Sequence, residues 1–415
     1  MAVGRLSQVG QGVAASSAAA SGANAAVMAI LFSVSLGHML NDMMQSALTS
    51  IYPLVKDPLA LDFVHIGIIT LVFQLTASIL QPIIGMATDR RPQPFSLPVG
   101  MAATFCGMAV LAFAGGFWTM LLSAALIGVG SSIFHPEASR VARLASGGRY
   151  GFAQSFFQVG GNTGQAIGPL LVALLVIPNG QAHVIWFALF AVIGMVVLSR
   201  VGFWYRDHLG SRIKKAAAAV AAGPQLSRAR IGVCIAILLA MTFSKNFYMA
   251  AFASYYTFFL IERFAVSVQS AQIHLFVFLG AVALGTFIGG PVGDRIGRKP
   301  VMWVSMFGVL PLSVALPFLP LFWVDVTAII VGIMMASAFP AIVVYAQELL
   351  PGRVGMIAGL FFGFAFGMGG IGAAVIGWLA DVSSLAFAFK LSGWLPILGI
   401  FVIFLPELDR RPAIA

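Results

Sequence analysis

The sequence predicts an all-α membrane protein of about twelve transmembrane helices, arranged as two pseudo-symmetric six-helix bundles. Three observations carry that prediction. Of 415 residues, 60% are hydrophobic and only 9% charged, which is more apolar surface than one water-facing core can hide. After residue 25, one apolar stretch follows another, each near the roughly 20 residues that span a hydrocarbon layer of about 30 Å. Finally, the chain resembles itself at an offset of 205 residues, as a duplicated bundle does.

Residues 1–24, rich in Ala, Ser and Gly, read as a disordered tail. Apolar runs between charged or Gly/Pro-rich breaks place helices at 26–55, 63–87, 96–115, 118–144, 150–177 and 182–203. Six more follow at 231–261, 268–292, 300–319, 323–349, 355–380 and 385–405. The expected organisation is therefore an N-terminal bundle over 25–204, a linker over 205–230, a C-terminal bundle over 231–406 and a tail over 407–415.

The net charge of +10 would suggest nucleic acid in a water-soluble protein, but in a membrane chain topology places the basic residues first. With both termini cytoplasmic, 19 of the 23 Lys and Arg residues fall inside and only Lys56, Arg263 and Lys390 outside. The positive-inside rule thus predicts cytoplasmic termini and an even number of spans. The basic linker is explained by topology and attraction to anionic lipid, and no nucleic-acid partner is expected. Cys106 and Cys234 both sit in apolar runs and read as packing residues. The remaining cation, Lys245, is left within the membrane.

The repeat pairs Gly85, Asp89 and Arg90 with Gly290, Asp294 and Arg295, Asn41 with Asn246, and Ser132 and Phe134 with Ser337 and Phe339. In helix 5, Gln154, Gln158, Asn162 and Gln165 share one helical face. Their counterparts are Gly359, Gly363, Gly367 and Gly370. Amides facing lipid are unfavourable, so the polar stripe should line protein or water. The glycine stripe suits close helix packing.

Ionisable groups within a membrane are the default functional candidates, since each opposes insertion by about 3 kcal/mol at mid-bilayer. His38, Asn41, Asp42 and Gln45 form one stripe on helix 1, with His38 and Asp42 a turn apart. Helix 4 carries His135, Pro136 and Glu137, and Glu137 can pair with Arg140 on the next turn. Asp42, Glu137, His38 and His135 are the expected proton carriers; the bland alternative is a permanent structural pair. Lys245, beside Asn246 and followed by Tyr248, suits an anionic ligand or a partner such as Asp42. The expected ligand-contacting set is Asn41, Gln45, Gln154, Gln158, Asn162, Lys245, Asn246 and Tyr248. No spacing of ligands supports a metal, no cofactor is implied, and the chain lacks a nucleophile with a base or a phosphate loop, so no enzyme is expected.

The segment Gly290 to Lys299 reads GPVGDRIGRK, and the duplicated position from Gly85 reads GMATDR. Glycines let helices approach closely, and an Asp near helix ends can pair with Arg and with helix N-termini. The expected gating residues are Asp89, Arg90, Arg140, Gly290, Asp294, Arg295, Gly297 and Arg298. This pattern resembles the signature loop of the major facilitator superfamily, although Arg91-Pro92 follows Arg90 in the first copy instead of Gly-Arg-Lys. Gly164 and Gly168-Pro169 resemble the start of the antiporter motif of proton-coupled drug exporters, with a Pro kink as the alternative. The runs GHMLNDMMQS, ITLVFQLTASILQPIIG, SSIFHPEASRVARLASGGR and AQSFFQVGGNTG are similar to those of the fosmidomycin resistance protein group. The resemblance implies the major facilitator fold, a bacterial inner-membrane location, and proton-coupled efflux of a small toxic compound such as fosmidomycin by a monomer. Uptake of a small metabolite and a non-transporting membrane sensor are the competing readings.

Overall fold

The computed structural model describes residues 27–61, 63–208, 210 and 226–408. The N-terminal tail, most of the linker and the end of the C-terminal tail lie outside these. Every regular element among the described residues is helical, which satisfies backbone donors and acceptors within each segment where no water can.

Twelve spans follow in order. The first half holds α1 (Met28–Ser50), α2 (Phe63–Arg90), α3 (Ser96–Ala112), α4 (Phe117–Ala145), α5 (Tyr150–Leu171) and α6 (Ile185–Asp207). The second holds α7 (Arg228–Phe264), α8 (Val268–Ile296), α9 (Arg298–Met306), α10 (Leu321–Leu349), α11 (Val354–Val382) and α12 (Leu385–Ser392). Among the described residues ten can cross a membrane by length and composition, α9 and α12 only together with the segments that continue them to Phe318 and Phe404. The other two are α3, at 17 residues, and α1, which carries the polar stripe of His38, Asn41, Asp42 and Gln45.

Three expected helices are broken where proline removes a backbone donor. The run 26–55 ends at Ser50 and resumes as one turn, Tyr52–Val55, that contains Pro53. The ninth span stops at Met306 and resumes as Leu310–Ala315 around Pro311. The twelfth continues past Ser392 as a 3₁₀ segment, Leu395–Phe404, with Pro396 at its start. Large apolar side chains such as Phe113, Trp118, Phe276 and Trp378 remain exposed around the rim, as a lipid-facing surface requires.

The described chain ends and both sides of the linker share one face, here the terminal face. There the Val27 N–H donates to the Ala145 carbonyl at 2.9 Å, Arg230 to the Phe404 carbonyl at 3.1 Å, and Tyr345 to the Pro406 carbonyl at 2.6 Å. On that face the halves touch along α2 with α11 and α5 with α8. A Cβ on Gly85 would strike the backbone of Gly355, and one on Gly290 the backbone of Gly151. Further along α11, Gly359 and Gly363 still press on the backbones of Gln81 and Ser78, but Gly367 and Gly370 meet nothing closer than 4.0 and 3.9 Å. The gap between the halves therefore widens away from the terminal face.

Candidate functional site

That gap holds a cavity of about 340 Å³, the size of a small-molecule site. The first half contributes His38 and Asp42 from α1, Gln74 from α2, and Gln158, Gly161, Asn162 and Gln165 from α5. The second contributes Lys245 and Asn246 from α7, Phe339 from α10, and Phe362, Ala365, Phe366, Gly369 and Gly370 from α11. One wall is thus acidic and amide-rich and the other cationic and aromatic.

Close packing sets the acidic wall. Gly160, Gly164 and Gly168 of α5 lie where a side chain would strike Ser35, Met39 and Ser46 of α1, so the two helices are drawn together and Gln165 reaches Asp42. The Asp42 carboxylate accepts from Gln45 at 2.9 Å, Gln165 at 3.0 Å and Asn41 at 3.2 Å. It is 2% exposed, and acceptance from three amide donors suits its ionised form. The Nε2 atoms of His38 and His135 each stand 3.4 Å from an Asp42 oxygen and 3.2 Å from one another. Phe157 stacks on His38 at 4.1 Å, and Phe362 and Phe366 lie 5.3 and 5.1 Å from His135, so aromatic rings pack around the cluster.

On the facing wall, the Lys245 ammonium stands 4.9 Å above the Phe339 ring, a cation–π contact. Among the described residues it makes no ion pair. Asn162 donates to Thr286 across the halves at 3.2 Å. Two buried amide oxygens in the lining, Gln74 Oε1 and Gln158 Oε1, have no protein donor and suit a ligand or water.

Two pseudo-symmetric locks close the terminal face. Asp89, at the end of α2, accepts from the Gly355 and Met356 N–H groups at 3.1 and 2.8 Å. Asp294, at the end of α8, accepts from Gly151 and Phe152 at 2.9 and 2.8 Å. Each carboxylate thus sits on the N-terminus of a helix in the opposite half, where dipole and unpaired donors favour an anion. The cations differ: Arg140 of α4 holds Asp89 at 2.8 Å and also pairs with Glu137, whereas Arg298 holds Asp294 at 3.1 Å and Glu348 at 3.3 Å. Arg298 follows Gly297, whose φ of +95° requires glycine. In the first copy, where no such turn exists, Arg140 supplies the charge from another helix.

Several expected positions are corrected. Glu137, bonded to Arg140 and to Ser96 at 3.2 Å, belongs to the lock rather than to the cavity. Arg90 and Arg295 are exposed and make none of the lock bonds. Asn41 and Gln45 are buried behind Asp42 and orient it, while Gln154 accepts from Ser139 at 2.9 Å in the closed interface. Tyr248, three residues past Lys245 and hence turned about 60° from it, is buried against Phe252 in its own bundle. The expectation that no ligand set for a metal exists is also revised, because His38, Asp42 and His135 offer three ligand atoms within 4.8 Å of one another.

Sequence reasoning missed Gln347, which donates to Ser139 at 3.2 Å and accepts from Arg143 at 3.2 Å across the halves. It also missed the His274–Asp325 pair at 2.6 Å. Neither pair has a local signature, since the partners lie on different helices. A buried glutamine and an aspartate at the start of a span were the available signals.

The Major Facilitator Superfamily model matches residues 34–270 and 233–414. The chain is 54% identical over 379 residues to the fosmidomycin resistance protein of Escherichia coli (strain K12), covering 91% of this chain and 93% of that one. It is 41% identical over 384 residues to an MFS-type transporter, YfnC, of Bacillus subtilis (strain 168), covering 92% and 93%. Among solved structures, the transporter FucP in its outward conformation aligns with a TM-score of 0.71 at 15% identity, over 90% of this chain and 98% of that one. The sequence matches over nearly the whole length, together with the twelve-helix fold, show that the chain belongs to the Major Facilitator Superfamily of membrane transporters and, within it, to the fosmidomycin resistance protein group.

Proposed function

We propose that the protein exports a small anionic toxic compound of the fosmidomycin type across the bacterial inner membrane in exchange for protons, by alternating access. One observation carries this reading: the Lys245 ammonium of one half and the buried Asp42 carboxylate of the other share a single cavity sealed at one face by two reciprocal locks. Basic residues cluster toward the terminal face, which makes that face cytoplasmic by the positive-inside rule. The described state is then outward-facing, with both termini cytoplasmic. A single chain contains both halves and the whole cavity, so a monomer suffices.

In this cycle Lys245 holds the anionic group and Gln158, Asn162 and Asn246 orient it. Deprotonated Asp42 keeps the Gln165 amide as one of its three donors. A proton entering from outside occupies one carboxylate oxygen or a neighbouring imidazole of His38 or His135, which frees Gln165 to rearrange. Proton and substrate would therefore favour different arrangements of one side chain, and exchange follows if these belong to opposite-facing states. Separation of Asp89 from Gly355 and of Asp294 from Gly151 opens the cytoplasmic side, releases the proton and admits the next substrate.

The test is a drug-sensitivity panel in an efflux-deficient bacterial host. Expression should raise tolerance to fosmidomycin and related phosphonates, and a protonophore should abolish the gain. Increased sensitivity would mean uptake, and an unchanged profile across anionic compounds would remove the substrate class.

A further inference from the structure

The His38–Asp42–His135 cluster contains a conflict that hydrogen bonding among the three does not remove. Nδ1 of His38 lies 2.8 Å from the Phe157 carbonyl oxygen, and Nδ1 of His135 lies 3.0 Å from that of Ser131. A carbonyl oxygen can only accept, so both Nδ1 atoms carry hydrogen. The Ser131 hydroxyl agrees: it donates to Gln45 at 3.0 Å, so toward His135 Nδ1, at 3.2 Å, it can only accept. In the neutral rings both Nε2 atoms are then lone pairs, and they face each other at 3.2 Å beside a carboxylate. Two lone pairs and an anion repel unless one cation lies among them.

We propose that His38 Nε2, His135 Nε2 and the Asp42 carboxylate form a binding site for one divalent transition-metal ion of the Zn²⁺ class, with its open coordination position toward the cavity. Two imidazoles and a carboxylate suit that class. Tetrahedral bonds of about 2.0–2.1 Å place neighbouring ligand atoms about 3.3 Å apart. The two Nε2 atoms are 3.2 Å apart, His38 lies 3.4 Å from Oδ2 of Asp42 and His135 3.4 Å from Oδ1, and one ligand atom from each residue falls within 4.8 Å of the others. Both histidines already donate their other nitrogen to a carbonyl, the arrangement that fixes metal-binding tautomers. Of the three ligands, His38 and Asp42 line the cavity, so a water or an oxyanion of a cavity ligand can complete the shell. His135 is fully buried behind them. The site rests on the cavity geometry and not on export. A bound ion and the proposed proton compete for the same three groups, so metal binding is read directly on the protein, apart from transport, and its failure and that of export are separately visible.

Tag-free full-length protein in lipid nanodiscs, stripped with chelator, is titrated with Co²⁺ and then with Zn²⁺. One Co²⁺ should bind per chain with the visible absorption of a four-coordinate complex, and Zn²⁺ should displace it. His38→Gln and His135→Gln should each weaken binding at least about tenfold, while Cys106→Ser, at an exposed position outside the cavity, keeps the one-to-one stoichiometry and the affinity. X-ray absorption on the wild-type Zn²⁺ form should count two imidazole ligands, a reading that stands even if a histidine variant misfolds. Absence of saturable one-to-one binding, wild-type affinity in both histidine variants, or fewer than two imidazoles would overturn the metal site and leave a proton shared by the two rings.

Discussion

Asp42 is placed by more side chains than any other cavity residue, through three amide donors and two imidazoles drawn from α1, α4 and α5. Replacing it by asparagine removes the charge while keeping the shape. Asp42→Asn is expected to abolish proton-driven export yet leave the protein in the membrane, as measured by efflux with and without an imposed proton gradient; unchanged efflux would take Asp42 out of the coupling. Lys245 lines the cavity over the Phe339 ring and in the proposed cycle offers its charge to a ligand. A charge-assisted hydrogen bond contributes about 1.5–3 kcal/mol, so Lys245→Ala should weaken anionic substrates by roughly tenfold to a hundredfold and neutral ones far less. Binding assays with matched anionic and neutral compounds decide it, and equal losses would make the charge structural. The His38–Asp42 spacing was legible because i and i+4 share a helical face. His135 was a candidate from its place on a membrane helix, but its meeting with His38 and Asp42 was not legible, since His38 lies 97 residues away and only helix packing brings them together.

At the level of elements, the glycine stripe of α11 serves two purposes in sequence. Gly359 and Gly363 seat the helix on α2, whereas Gly367 and Gly370 leave room beside the cavity. Gly359→Leu should therefore prevent closure of the terminal face and abolish transport, while Gly370→Ser should fold normally and alter substrate preference. Limited proteolysis and transport assays on both variants test the division; similar behaviour of the two would refute it. The amide stripe of α5 divides in the same way, with Gln154 in the closed interface and Gln158, Asn162 and Gln165 in the cavity. Periodicity showed that each stripe shares a face. It could not show where along that face two tilted bundles stop touching, because that depends on the angle between them.

For the whole molecule, the two locks join the halves at the terminal face, and in the proposed cycle they set the balance between facing states. Each combines an ion pair with two backbone donors at a helix N-terminus. Losing one such charge should shift the balance by about 1.5–3 kcal/mol, or roughly tenfold to a hundredfold in population. Asp89→Asn and Asp294→Asn should each raise labelling of Ala365→Cys from the terminal face, in a Cys106→Ser background, and together more than either alone. Labelling that stays at the parent rate would mean that these carboxylates do not hold the face shut. The Gly-Asp repeat was readable in both copies, but its cations were not. Arg90 and Arg295 adjoin the aspartates in sequence yet point outward, because adjacent helical residues differ by about 100° in direction.

Composition, the length of apolar runs and the 205-residue offset were enough to determine a duplicated twelve-helix membrane bundle, its helix order and the polar faces of α1 and α5. These are properties of single segments in lipid, where each helix must satisfy its own backbone and conceal its own polar groups. Only the tertiary structure decided which polar groups meet: His135 with Asp42, Arg140 with Asp89, Arg298 with Glu348, and Lys245 opposite the acidic wall. Those meetings depend on the rotation, tilt and register of packed helices, and small residues far apart in the chain set all three.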